Sequence, residues 1–433
     1  MKPLGQENIK HQQEVLKNLK RQRILTPNDD ALVVYDLDIL DRQINRLKRL
    51  YPKNTFHTTA VKANPLSKIL TYISNFNIGA EVASEGELHL ALKSGIPAKD
   101  IIFDSPAKTI EELEFALSKN ININIDSLEE LERIKDILKN KTSLNNRIGL
   151  RINPQIGEGE ISNTSLAGAY SKFGIPITEF KEKIIEAFIE NQWLTGLHIH
   201  IGSQTCTQDM LIQGAQVITK LMTDINNELE KNNIQRKIEF IDLGGGIPAS
   251  YYPGPEPLVI EDYIKELRNK CPELWNGEVL LITEIGRWLH APCATALSKV
   301  EYVKETKNIK TAIIHLGADM FIRECYRPED DWHHEIGVIG ADLKITKGLD
   351  PCPYNIAGPL CFSGDFIDKN IFLPRVKPGD YLIIFDVGAY TFSMWSRYNS
   401  RPMPKICGIR DKGRKVIMLK AKEDPKNSNI WWS

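Results

Sequence analysis

Apolar and polar positions change their spacing several times along this chain. A polar, Lys-rich stretch at 6–22 has helical spacing, and ALVVY at 31–35 has strand character. Eight short apolar, β-rich runs follow, at 56–63, 79–84, 101–103, 121–125, 148–152, 194–201, 238–243 and 279–285. Helix-patterned stretches such as 85–94, 109–118, 128–138 and 177–190 separate them. Eight strand–helix repeats predict an α/β fold with a (β/α)8, TIM-like barrel over residues 43–292, and a doubly wound open sheet is the competing architecture. From about Cys293 the rhythm changes. Runs at 296–302, 309–314, 354–357, 381–385 and 416–421 read as strands separated by Gly, Pro and Asp. Residues 293–433 are therefore expected to form a second, mostly β domain, joined by the helix and strand of residues 1–42.

Composition narrows the class. The 433 residues are 42% hydrophobic and 26% charged, which fits a globular chain and not a disordered or fibrous one. Lys and Arg number 55 against 56 Asp and Glu, so no general nucleic-acid-binding surface is indicated. Seven cysteines, with no CxxC pair, make neither a disulfide framework nor a zinc ribbon and fit a reducing, cytoplasmic setting. No apolar core marks a secretory signal within residues 1–23, and the longest apolar runs are strand-sized, so no membrane partner is expected.

In a barrel, chemistry collects where strands end. The first run ends in Lys62, the fifth in Arg151, the sixth in His198, His200 and Ser203, the seventh in Gly244, Gly245 and Gly246, and the eighth in Glu284, Gly286 and Arg287. Each has a plain structural explanation: a snorkelling lysine, a satisfied core histidine, a tight turn, a surface ion pair. A desolvated lysine, however, becomes a nucleophilic amine. Three successive glycines let backbone N–H groups approach an anion. The set converging on one rim describes a phosphate-bearing carbonyl cofactor, pyridoxal 5'-phosphate (PLP), with a carboxylate to keep its pyridine nitrogen protonated. Adjacent pairs such as His333 and His334 rarely face one ion, so no metal is expected.

The motifs AVKAN at 60–64, GAEVASEGEL at 79–88, SKFGI at 171–175, GLHIHIGSQ at 196–204, DLGGG at 242–246, GPLCFSGD at 358–365 and GAYTFSMWSRYNSRP at 388–402 resemble the PLP-dependent amino-acid decarboxylases of the alanine-racemase-type fold. Within these, the chain is most similar to the diaminopimelate decarboxylases and more distantly to the ornithine decarboxylases. The resemblance implies that Lys62 carries the cofactor, His200 stacks on its ring and Glu284 meets the pyridine nitrogen. It also implies that Ser203, Gly244, Gly245, Gly246, Gly286 and Arg287 hold the phosphate side. Tyr390 is placed near phosphate and substrate. Cys361 is implied as proton donor to the carbanion left by CO2 loss, entering from the second subunit of a homodimer with shared active sites. Arg151, Arg323, Arg327, Phe362 and Asp365 are the further substrate-binding candidates.

Two departures bear on the substrate. Where the diaminopimelate pattern has an acidic residue after the cysteine, to grip a distal amine, this chain has Phe362. Residues 319–334 replace a plainer Arg-Pro sequence and offer both Arg323 and Arg327, of which Arg327-Pro328 is the better match. The expected substrate is therefore a modified or carboxylate-rich amino acid, as in siderophore or other specialised biosynthesis. Diaminopimelate decarboxylation in lysine synthesis, ornithine or lysine decarboxylation, racemisation and a non-catalytic role are the alternatives.

Overall fold

The computed structural model describes residues 6–139, 145–157, 167–204, 206–251, 257–330, 332–346 and 351–433. The chain divides into two compact units. One contains residues 44–249 and 257–288; the other contains the N-terminal residues through 43, Ser250 and Tyr251, and residues from 289 onward.

The N-terminal elements are helix α1 (Gln6–Arg21) and strand β1 (Ala31–Asp36). The first barrel strands are β2 (Phe56–Ala60), β3 (Gly79–Val82), β4 (Ile101–Asp104) and β5 (Asn122–Ile125). They are followed by β6 (Ile148–Asn153), the two-residue β7 (Ile175–Pro176), β8 (Gly196–Ile199), β9 (Phe240–Asp242) and β10 (Leu280–Ile285). Parallel pairings run from β2 through β3, β4, β5, β6, β8 and β9 to β10, and β10 pairs back with β2, closing an eight-stranded barrel with β7 added beside β6. This is the TIM-like architecture, not the open sheet. The strands are short and buried on both faces, as parallel strands under a helical ring must be.

The helices start where side chains can satisfy orphan amides. Ser84 caps Glu85–Lys93, Thr109 and Glu112 form a capping box on Ile110–Ser118, and Ser127 caps Leu128–Leu138. Each start reads S/T-x-x-E, so the turn from strand to helix is written locally. The first run stops being a strand earlier than its apolar pattern implied: β2 ends at Ala60, and Lys62 lies on a 3-10 turn, Val61–Ala63.

The β unit is built on β11 (Ala294–Thr306), β12 (Ile309–Ile314), β13 (Ile336–Ile339), β14 (Cys352–Ala357), β15 (Phe366–Leu373), β16 (Tyr381–Ile384), β17 (Lys405–Arg410) and β18 (Lys415–Lys420). Its sheet runs β15-β14-β12-β11-β1-β17-β18, with β16 also on β11 and β13 on β16. Strand β1 lies antiparallel to β11 and parallel to β17. Helix α1 buries Val15, Leu16 and Leu19 against Leu32, Val34, Leu297, Ile383 and Ile409 of this sheet. Three of these strands are absent from the sequence reading. β13 has four residues, the apolar pattern of β15 is interrupted by Asp368-Lys369-Asn370 with Asn370 at φ 58°, and β17 carries Gly408, which leaves room for Ile417 of β18. Among the described residues no helix is long and apolar enough to cross a membrane.

Candidate active site

The barrel's polar groups stand at the carboxyl ends of its strands, and parallel register brings them into one layer. Arg151 on β6 pairs in register with His198 on β8, and His198 with Asp242 on β9. Glu81 is the penultimate residue of β3, and Asp104 ends β4. Glu284 lies near the end of β10 and is 2% exposed; His198 and Asp242 are fully buried.

A chain of ionic contacts crosses this layer. Arg151 Nη1 donates to Asp104 Oδ2 at 2.9 Å and lies 3.5 Å from Asp126 Oδ1, its guanidinium 4.5 Å over the ring of Phe173. His198 stands between two carboxylates, with Nδ1 3.9 Å from Asp104 Oδ1 and Nε2 3.5 Å from Glu284 Oε2. Burial opposes its charge, but Glu284, Asp104 and Asp242 outweigh that and push the imidazole up to about 9. Burial likewise raises Glu284, yet His198, His200 and Lys62 hold its carboxyl well below the usual range. Asp242 goes the opposite way, well above the usual range, because burial and the Glu284 charge both favour its neutral form. Neighbouring carboxyl groups with opposed protonation are the mark of a site that handles protons.

Lys62 Nζ lies 2.5 Å from Glu81 Oε1. Burial, with the charges of Glu284 and Asp104, pushes Glu81 up to about 8 against the pull of Lys62. His200 Nδ1 accepts the backbone N–H of Gly245 at 3.1 Å, which leaves the ring proton of the neutral tautomer on Nε2. Burial lowers the imidazole's basicity.

The glycine turn has little room for side chains. Gly244 sits at φ 63°, and a Cβ there would lie 2.5 Å from the Ile199 carbonyl oxygen. A Cβ on Gly245 would lie 2.5 Å from the Glu284 carbonyl oxygen, and Gly246 adopts φ 101°. Arg287 Nε donates to Ser203 Oγ at 3.1 Å, and Gly286 is the buried residue between β10 and Arg287.

These groups fit PLP on two observations. Both carboxylate oxygens of Glu284 are buried without a well-formed hydrogen bond among the described residues, as suits an acceptor for a pyridinium N–H. The glycine turn, with no side chains over its backbone amides, and the Arg287 guanidinium set beside Ser203 are group types that suit a phosphate. His198, His200 and Glu284 bring one ligand atom each within 4.8 Å of one another, and so do Glu81, Asp104 and Glu284.

The remaining candidates belong to the β unit. Cys361 is exposed; its N–H donates to Asn399 Oδ1 at 2.8 Å, and its carbonyl accepts Tyr398 OH at 3.1 Å. Phe362 stacks on Tyr326, with centroids 4.5 Å apart and planes 13° apart. Arg323 holds its guanidinium 5.2 Å from the rings of both Trp332 and Tyr390, and Tyr390 is a left-handed residue at φ 56°. Arg327, the better motif match, instead pairs with Glu329 at 2.6 Å and Asp330 at 3.1 Å. Asp331 lies outside the described residues. Asp365, expected at the substrate, is buried and accepts the backbone N–H groups of Ala318 and Leu360 at 2.6 Å each, so it pins the loop that carries Cys361. Arg151 is likewise committed to Asp104 and Asp126, not left open at the rim. His333 and His334 diverge, to Asp368 and to Glu324.

The network of His198, Glu81, Asp104 and Asp242 was not assigned from sequence. Its signal was present: Glu81 and Asp242 interrupt apolar strands inside the motifs GAEVASEGEL and DLGGG.

A parallel barrel with a lysine at one strand end and a glycine turn and arginine at others defines a class of cofactor-dependent enzymes. Comparison with known proteins makes the class specific. Residues 37–291 match the family of pyridoxal-dependent decarboxylases through its pyridoxal binding domain. A diaminopimelate decarboxylase of Helicobacter pylori is 30% identical over 397 residues, covering 90% of this chain and 92% of its own. That of Zymomonas mobilis is 33% identical over 371 residues, covering 84% and 82%. The crystal structure of diaminopimelate decarboxylase from Helicobacter pylori complexed with L-lysine superimposes with a TM-score of 0.82 at 28% identity, covering 95% of this chain and 99% of that one. The chain belongs to the pyridoxal-dependent decarboxylase family. It is a carboxy-lyase that uses PLP to decarboxylate an amino acid.

Proposed function

We propose that the substrate is a modified, carboxylate-rich amino acid whose side chain ends without a free ammonium. The Tyr326–Phe362 stack carries this reading. An aromatic face cannot replace the hydrogen bonds and full charge with which a carboxylate holds an ammonium. Arg323, braced by Trp332 and Tyr390, offers a rigid cation suited to a carboxylate. Specialised biosynthesis, siderophore assembly included, is the setting expected for such a substrate, and that setting rests on these residues alone.

In this reading Lys62 anchors the cofactor, Ser203, Arg287 and the Gly244–Gly246 turn hold its phosphate, and His200 packs on its ring. Bound there, PLP supplies an electron sink for the pair left on Cα when CO2 departs. Glu284 accepts the ring N–H and so keeps the proton on that nitrogen. Gly245 fixes the orientation of His200 by donating to its Nδ1. Glu81 accepts from the Lys62 amine and would hold it in place whenever it is not bonded to the cofactor. Cys361, entering from the partner subunit of a homodimer, delivers its Sγ proton to Cα. Arg323 and Tyr390 orient the substrate's carboxylate end.

A second reading, diaminopimelate decarboxylation, is favoured by the names of relatives that match along most of their length. CO2 release by the PLP-loaded protein separates the two. Rapid release from meso-diaminopimelate sinks the specialised reading. No release from that substrate, with release from an amino acid bearing an acylated or carboxylated side chain, supports it.

A further inference from the structure

Glu284 needs a compensating cation of the protein's own, because a pyridinium N–H supplies one only while the cofactor is bound and its ring nitrogen protonated. It is a buried carboxylate, and an uncompensated buried anion protonates rather than stays charged. The Lys62 amine helps while it is an ammonium, but once its nitrogen is committed to the cofactor that charge is changed. Arg151 is engaged by Asp104 and Asp126. His200 is part-buried with Nδ1 3.8 Å from Glu284 Oε2, but that nitrogen receives the Gly245 N–H, which suits a neutral ring. Among the described residues, the other cation-capable group found within 4 Å of Glu284 is His198.

His198 is placed for that task. It comes from β8, two residues before His200, and its side chain is fully buried. Glu284 of β10 faces Nε2, and Asp104 of β4 faces Nδ1. Asp242 of β9 lies beside it in register, with Asn124 of β5 donating to Asp242 Oδ2 at 3.3 Å. Arg151 of β6 lies on the other side, and beyond Glu284 stand Lys62, on the turn after β2, and Glu81 of β3. Neither ring nitrogen makes a closer hydrogen bond among the described residues, so the carboxylates are its only polar neighbours of that kind there. The ring thus stands between the carboxylates of two strands, 3.5 and 3.9 Å away.

We propose that His198 is a positioning residue, whose imidazolium, clamped between Asp104 and Glu284, keeps Glu284 ionised and aimed at the cofactor's ring nitrogen. This rests on the reading of Glu284 as the partner of that nitrogen. His198 touches neither substrate nor cofactor in this role; it acts through Glu284. Its near-neighbour Asp104 is the counter-clamp, and Arg151 neutralises the excess negative charge there.

The test uses holoenzyme loaded with PLP labelled with 15N at the ring nitrogen. Glu284→Gln is the reference, and His198→Gln is the probe, since an amide keeps hydrogen-bonding capacity without charge. His198→Gln is expected to retain PLP, move the ring-nitrogen resonance toward that of Glu284→Gln, lower kcat by about 10- to 100-fold, and leave KM within about twofold. The acid limb of its kcat profile should move up by about one pH unit, because burial of Glu284 is no longer opposed. An unchanged resonance and pH profile in His198→Gln, with Glu284→Gln shifted, overturns the role of His198. An unchanged resonance in Glu284→Gln overturns the reading of Glu284 itself, and the proposal with it. Should His198→Gln fail to fold, histidine NMR of the wild-type protein decides: His198 charged on both nitrogens at pH 7.5 supports the clamp, and a neutral ring at that pH ends it.

Discussion

Lys62 and Cys361 act at opposite ends of the proposed cycle, and their removal should fail in different ways. Lys62→Ala loses the covalent anchor, so turnover is expected to vanish and the visible absorbance of the bound cofactor to change. Cys361→Ala should still release CO2, with turnover lower by about 10²- to 10⁴-fold, the usual weight of a lost proton donor. Analysis of the product's configuration at Cα in deuterated water reports where the replacement proton came from. Normal turnover would remove Cys361 from its role. Phe362→Glu restores a carboxylate beside Cys361. It should raise kcat/KM on meso-diaminopimelate by about tenfold or more, one charge-assisted contact's worth. No gain would show that Phe362 does not govern the distal amine.

The glycine turn and strand β1 carry predictions of another kind, because each depends on how a segment is held. Ala at 245 must place its methyl 2.5 Å from the Glu284 carbonyl oxygen, so the turn has to move. Overpacking of this sort costs about 1–3 kcal/mol. PLP affinity, read by absorbance titration, should weaken by about tenfold, with the fold intact by circular dichroism. In the β unit, Tyr35 of β1 shares a 2.7 Å hydrogen bond with His290 Nδ1, and burial holds this imidazole down to about 3. The folded form is thus neutral while the unfolded form takes up a proton below about 6.5. Stability therefore falls as pH drops from about 6.5 toward 3, by up to about 1.4 kcal/mol per unit from this residue. Urea midpoints at pH 7 and pH 5 should differ less in His290→Gln than in the unmodified chain.

At the level of the assembly, a shared site makes a quantitative demand. If Cys361 serves its partner's barrel, then Lys62→Ala chains, without turnover, and Cys361→Ala chains, with turnover strongly reduced, complement one another when mixed after dissociation. Random re-pairing yields mixed dimers in half of the population, and each holds one intact site, so about a quarter of the sites recover. No recovery from a mixture shown to exchange subunits would place Cys361 in its own chain's site or outside catalysis.

Much of this is legible in the sequence. The alternation of short apolar runs with S/T-x-x-E helix starts dictates strand–turn–helix repeats, because each repeat's hydrogen bonding and burial are local. Lys62, His200, the glycines and Glu284 were legible because a barrel places strand ends on one rim. Strands β13, β15 and β17 were not, since a four-residue run, a polar interruption and a mid-strand glycine erase the local signal. Nor was the loop-pinning place of Asp365, or the preference of Arg327 for its neighbours Glu329 and Asp330. The sequence by itself determined the repeating elements and the residue types at their ends. Only the tertiary structure decided their charges. Asp104, His198, Asp242 and Glu284 come from four strands, and protonation in a buried layer depends on which of them become neighbours out of water's reach.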